Sequence, residues 1–196
     1  MSLRTVTIER NTNETQVRVT LNLDGAGNAN IATSVPMLDH LLSHVAVHGL
    51  LDLEIRATGD LQIDAHHTVE DVAIVLGDAL DRALGDKRGI ARMGDAYVPM
   101  DDALAFVALD LSGRAYAVID AQFPAPMIGA IPASLVAHFL KTLATHAKMN
   151  LHARVLYGRD DHHKAEALFK ALGRALAMAV AIDARRVGVA STKGII

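Results

Sequence analysis

The stretches IDAHHTVED (residues 63–71) and RDDHHKAEA (residues 159–167) decide how this chain folds. Each carries His-His-x-x-Glu, and the second copy lies 96 positions after the first (162 − 66 = 96). Residues four apart share one face of a helix. His66 and Glu70 can therefore face one metal ion together, and so can His162 and Glu166. The adjacent histidines, His67 and His163, point about 100° away on a helix of 3.6 residues per turn. They are free to serve a different centre, and the metal of the other half is the expectation.

The match runs outward from these motifs. The same shift lays Leu76-Gly77 on Leu172-Gly173 and Ala79-Leu80 on Ala175-Leu176. A shift of 98 (138 − 40 = 98) lays His40 on His138, His48 on His146 and Leu53 on Leu151. Two unrelated amphipathic helices would share Ala and Leu by chance. They would not also pair His40, His48, His66, His67 and Glu70 with equivalents, so the chain reads as an internal duplication. Alternation and capping signals fill in each half. Strands are expected over 3–9, 15–23 and 51–58, with a turn at 25–28. Helices are expected over 36–48, opened by Pro36, and over 68–84, closed by Gly85. The second half replays this with strands over 103–111, 114–122 and 151–157 and helices over 134–147 and 163–182. The expectation is an α+β fold: a two-layer sandwich of duplicated half-domains, about 4–92 and 95–186, sharing one mixed sheet with helices on one face. Residues 187–196 form a tail, and residues 1–196 make one domain.

Composition narrows the chemistry. A chain of 196 residues can bury a sizeable core. With no Trp and few aromatics, that core is built from Ala, Val, Leu, Ile and Met. A net charge of −3 gives no general attraction to nucleic acid or anionic membrane. The absence of Cys excludes disulfides and thiolate sites, so a metal must be held by imidazole and carboxylate, which suit Mn, Fe, Zn, Co or Ni. No apolar signal core opens the chain, and no run approaches the roughly 18 to 20 apolar residues of a membrane span. A cytoplasmic location is expected.

Adding His40 and His138 to the twin motifs gives six His and two Glu. These divide into two sites of three His and one Glu, with open positions left for substrate. His48 and His146 either approach substrate or pack. His44 and His152 fall outside both matched frames and read as packing or surface residues. Arg92, Arg114, Lys170, Ser191, Thr192 and Lys193 offer the charges and hydroxyls that a phosphate monoester takes. By sequence alone, each reads more readily as a charge or hydroxyl on the surface. STKG (191–194) lacks the preceding Gly-rich loop, which argues against a nucleoside triphosphate site.

Taken in order, RNTNET, LDHLLSHVAVHG, IDAHHTVED, GIARMG, PMDDAL, DLSGR, GRDDHHKAEALFKALGRAL and STKG span residues 10–194. In these motifs the chain resembles the imidazoleglycerol-phosphate dehydratase family of histidine biosynthesis. The resemblance implies removal of water from imidazole glycerol phosphate to give imidazole acetol phosphate, with two Mn²⁺ ions per active site. It implies left-handed βαβ crossovers, which the usual handedness rule would not have suggested, and a 24-subunit cage of identical chains with active sites between subunits. Carried over by motif, the metal ligands are His40, His66, His67, Glu70, His138, His162, His163 and Glu166. Glu14 is the acid/base at the reacting carbons, His48 lies near the substrate hydroxyl, and Arg92, Arg114, Lys170, Ser191 and Lys193 hold the phosphate. The chain departs from the family pattern in TSVPM (33–37), and at His44 where Gln is frequent, at Asp160 where Asn is usual, and before Ser191 where Pro is usual.

Two rival readings share these residues. A di-metal hydrolase of phosphate esters would need a bridging carboxylate, and no aspartate-rich bridging motif is present. A metal-storage cage would need the ligands but neither Glu14 nor the basic cluster.

Overall fold

A computed structural model describes residues 4–196. Leu3, the first residue of the first expected strand, lies outside the described residues. The first half holds β1 (Thr5–Asn11), β2 (Thr15–Asn22), β3 (Ala29–Ala32), α1 (Pro36–Gly49), β4 (Asp52–Gly59) and α2 (His66–Leu84). The second holds β5 (Met93–Met100), β6 (Ala103–Asp110), β7 (Tyr116–Asp120), the short β8 (Met127–Ile128) and β9 (Ile131–Pro132), α3 (Ser134–His146), β10 (Asn150–Tyr157) and α4 (Asp161–Val180).

The strands form two four-stranded mixed sheets instead of the single sheet expected. Their orders, β1-β2-β4-β3 and β5-β6-β10-β7, are the same topology written twice. In each, a hairpin pairs antiparallel with a third strand, and a fourth adds in parallel after a helical crossover: α1 links β3 to β4 and α3 links β7 to β10. Parallel neighbours require such a crossover. The β8–β9 hairpin, inserted between β7 and α3, has no counterpart among the described residues of the first half. Each half is thus the expected two-layer unit, sheet on one side and helices on the other.

Strict alternation drives this layering. In β2, Val17, Val19 and Leu21 point inward, and in β6 Ala103, Ala105, Val107 and Leu109 do the same. The two helical layers then pack on each other, α1 against α4 and α2 against α3. One apolar core runs through the middle, with Leu42, Leu80, Phe139, Phe169 and Leu172 fully buried. The duplicated glycines explain how the layers meet so closely. A Cβ on Gly77 would lie 2.5 Å from His146 Cβ, and one on Gly173 would lie 2.8 Å from the Val45 carbonyl oxygen. Both contacts cross between halves.

Among the described residues, no helix is long and apolar enough to cross a membrane.

Candidate active site

Both HHxxE motifs open a helix, and an aspartate sets each start. Asp160 is the N-cap of α4, and its side chain accepts from the His162 and His163 amides at 2.8 and 3.4 Å. Asp64 accepts from the His66 amide at 2.7 Å ahead of α2. Short acidic side chains suit this position because the first helical N–H groups have no intrahelical partner.

From there the ligands cross between halves. His40 on α1 meets His162 and Glu166 on α4: both histidine Nε2 atoms bond Glu166 Oε1, at 2.7 and 2.9 Å. His138 on α3 meets Glu70 on α2 at 3.1 Å, with the His66 ring 4.7 Å from its own. In each trio, His40–His162–Glu166 and His66–Glu70–His138, the donor atoms lie within 4.8 Å of one another. Two neutral imidazoles and one carboxylate at that spacing fit a borderline divalent cation. Each trio rests on the α1–α4 or α2–α3 contact, so neither half alone holds one.

His67 and His163 join neither trio. The expectation was that each serves the metal of the other half; within one chain neither stands among the donor atoms of the two trios. His67 Nδ1 lies 3.0 Å from Asp60 and 3.8 Å from Glu14, and His163 Nδ1 lies 2.7 Å from Asp102. The hydrogen bonds to Asp60 and Asp102 raise both imidazole pKa values.

The surroundings of the first trio are charged and partly enclosed. Glu166 is buried, and burial would raise its pKa. Hydrogen bonds from Lys170, His40 and His162 outweigh that and bring it down to about 2. Lys170 donates to Glu166 Oε2 at 2.7 Å. His44, read from sequence as packing or surface, stands beside this trio: its ring is 4.6 Å from that of His40 and its Nε2 is 3.4 Å from Glu166 Oε2. That Nε2 is buried without a hydrogen-bond partner. Burial pulls the His44 pKa down to about 4. Partial burial, then Lys170 and Arg174, also lower that of His48, whose ring is 5.8 Å from His44. His146 bonds Asp78 at 2.9 Å, and His152 is exposed on β10.

Glu14 is exposed at the tip of the β1–β2 hairpin, where Thr12 Oγ1 accepts from the Glu14 and Thr15 amides at 3.1 and 2.9 Å. The hairpin is fastened to α2 by buried Asp71, which accepts from Arg10 Nε at 2.9 Å and from the Thr15 hydroxyl. The helix that carries His67 and Glu70 therefore also fixes Glu14.

The expected phosphate residues do not all converge in one chain. Arg92 forms a bidentate pair with Asp110 at 2.6 and 2.8 Å and donates to the Ala190 carbonyl at 2.5 Å, holding the tail. Ser191 Oγ accepts from the Lys193 amide at 3.2 Å. Arg114 is exposed, on the strand-end loop whose Gly113 faces Ile196. Lys170 is bonded to Glu166 of the first trio.

Sequence reasoning missed Asp60 and Asp102 and gave Asp71 no role. No repeat signals Asp60 or Asp102, because they do not match each other under either shift. Asp71 falls inside the quoted IDAHHTVED, but its alternation marks it only as the buried side of a helix.

Fold and trios define a class: α+β chains whose two duplicated halves complete each other's His-His-Glu trios. The comparisons with known proteins place the chain within it. The family model "Imidazoleglycerol-phosphate dehydratase" matches residues 33–176. The chain is 58% identical over 196 residues to the imidazoleglycerol-phosphate dehydratase of Roseiflexus sp. (strain RS-1), covering 100% of this chain and 98% of the relative. It is 56% identical to that of Limosilactobacillus fermentum, covering 99% and 100%. The crystal structure of the Staphylococcus aureus enzyme superposes with a TM-score of 0.83 at 33% identity, covering 91% of this chain and 99% of that one. The structure from Pyrococcus furiosus, a complex with (S)-C348, gives 0.83 at 35% identity, covering 96% and 100%. The chain belongs to the imidazoleglycerol-phosphate dehydratase family. It is an enzyme of the lyase class, a dehydratase of histidine biosynthesis.

Proposed function

We propose that the chain converts imidazole glycerol phosphate to imidazole acetol phosphate and water, with two Mn²⁺ ions held at the two trios. The observation that carries this reading is the pair of crossed His-His-Glu trios, with a carboxylate, Glu14, fixed over the start of the same helix. When bound, the ions supply Lewis acidity toward the substrate imidazole ring. The proton to be lost sits on a carbon with no adjacent carbonyl, so a base must be placed against it. Glu14 takes and returns that proton, being exposed at a hairpin tip that Asp71 holds still. His48, its pKa lowered by partial burial, stands on the side of α1 next to the first trio, near the substrate hydroxyl, which takes up a proton and leaves as water. Arg92, Arg114, Lys170, Ser191 and Lys193 take the phosphate.

Because His67 and His163 stand outside both His-His-Glu trios, they are offered to neighbouring copies, and the substrate site forms between subunits of a homo-oligomeric cage of 24 chains. The site then gathers basic residues that one chain leaves apart.

Metal-stripped protein titrated with Mn²⁺ tests the reading. Product should appear only with metal, saturate near two ions per chain, and come from a particle far heavier than the monomer by light scattering. Glu14→Gln should keep both ions and lose about 10²- to 10⁴-fold in turnover. Near-normal turnover in that variant would remove Glu14 from the chemistry. Two tightly bound ions without product would discard the substrate.

A further inference from the structure

We propose that Asp60 and Asp102 are positioning residues, which fix His67 and His163 as Nε2 metal ligands. The proposal rests on the metal reading above. His67 Nδ1 lies 3.0 and 3.2 Å from the two Asp60 oxygens, and His163 Nδ1 lies 2.7 Å from Asp102 Oδ1. An ionised carboxylate only accepts hydrogen bonds, so the ring proton must sit on Nδ1. The lone pair is then on Nε2, and the ring cannot swing without breaking the bond. Carboxylates that hold the distal nitrogen of a ligating imidazole orient it and raise its basicity.

Two features separate these pairs from chance surface contacts. First, two different loops make the same contact. Asp60 follows β4, where the second half has Gly158 after β10, and Asp102 sits in the β5–β6 turn, at the place that Glu14 holds in the β1–β2 turn. Secondly, both carboxylates are themselves placed. The Asp60 amide donates to the Glu14 carbonyl at 3.1 Å. Asp102 Oδ2 accepts from the Arg159 and Asp160 amides ahead of α4. Glu14, at 3.8 Å from His67 Nδ1, is beyond hydrogen-bond range and stays free for proton transfer.

Asp60→Ala is the direct test, because among the described residues no other side chain is hydrogen-bonded to Asp60, while its amide bond to Glu14 survives the change. Mn²⁺ affinity and stoichiometry are measured by calorimetry on the assembled protein, and Co²⁺ d–d spectra report the ligand geometry. Affinity should fall about 10- to 100-fold, the range for lost outer partners of a ligating histidine, with the Co²⁺ bands shifted. Asp60→Asn, isosteric and uncharged, should fall between parent and Ala, and carries the test if circular dichroism shows that Asp60→Ala does not fold. Folded variants with affinity within threefold of the parent and an unchanged Co²⁺ spectrum would overturn the proposal. A parent that binds no stoichiometric Mn²⁺ would instead overturn the metal reading itself.

Discussion

His44 shows how one side chain changes the behaviour of a site. Its neighbours are two imidazoles and a carboxylate, and its Nε2 is buried without a partner. An unfolded histidine protonates near 6.5, whereas folded His44 waits until about 4. Between those values the unfolded chain binds the extra proton, so this contribution to stability is complete above pH 6.5 and is lost as pH falls toward 4. His67 and His163 have raised values and act oppositely: theirs is complete below 6.5 and is lost as pH rises through their folded pKa. In metal-free protein, His44→Gln should therefore flatten the fall of the urea midpoint between pH 6.5 and 4 and leave the alkaline side unchanged. Parallel curves for parent and variant would refute this. The sequence could not show His44 in this light. It fell outside both matched frames, and its neighbour Glu166 lies 122 positions away (166 − 44 = 122).

At the scale of elements, the legible parts were those with strong periodicity. The four helices begin and end close to where caps, Pro36, Gly49 and Gly85 placed them. Besides the two-residue β8 and β9, two strands were not foreseen. Ala29–Ala32 is four residues long and largely exposed, so it has no alternation to read. Met93–Met100 contains Gly94, Asp95 and Pro99, all poor strand formers. It survives as an edge strand, where a proline's missing N–H faces no partner. Its Gly94 also lets α4 approach: a Cβ there would lie 2.1 Å from the Ala175 carbonyl oxygen. The single-sheet expectation failed for a related reason. Alternation shows which face of a strand is buried but not which strands share a ladder. The repeated glycines were visible as matched letters, and the structure supplies their reason. Gly→Ala in a helix ordinarily gains about 1 kcal/mol of propensity. At Gly77 and Gly173 the new methyl would meet the backbone or Cβ of the facing helix. Overpacking of that kind typically costs about 1–3 kcal/mol. Both Gly77→Ala and Gly173→Ala should lower the thermal midpoint; an increase in either would mean that the facing helices yield easily.

At the scale of the molecule, the duplication was readable and its consequence was not. Matching His40 to His138 and Glu70 to Glu166 tells which residues correspond. It does not tell that His40 reaches across to Glu166, or His138 to Glu70, because that depends on how the two helical layers stack. The fragment 1–85 and the fragment 86–196, expressed separately, should each lack stoichiometric metal binding. Expressed together, they should associate through α1–α4 and α2–α3 and recover it. Metal uptake by either fragment as a monomer would contradict the crossed arrangement. The same crossing bears on ancestry. On the metal reading proposed above, a protein of half this length would hold no ion alone and two as a pair, so its self-association would have come under selection before any fusion. Joining the genes would make that partnership permanent. Each half could then change without copying the other, as Asp71 in one and Ala167 at the matching place in the other already record.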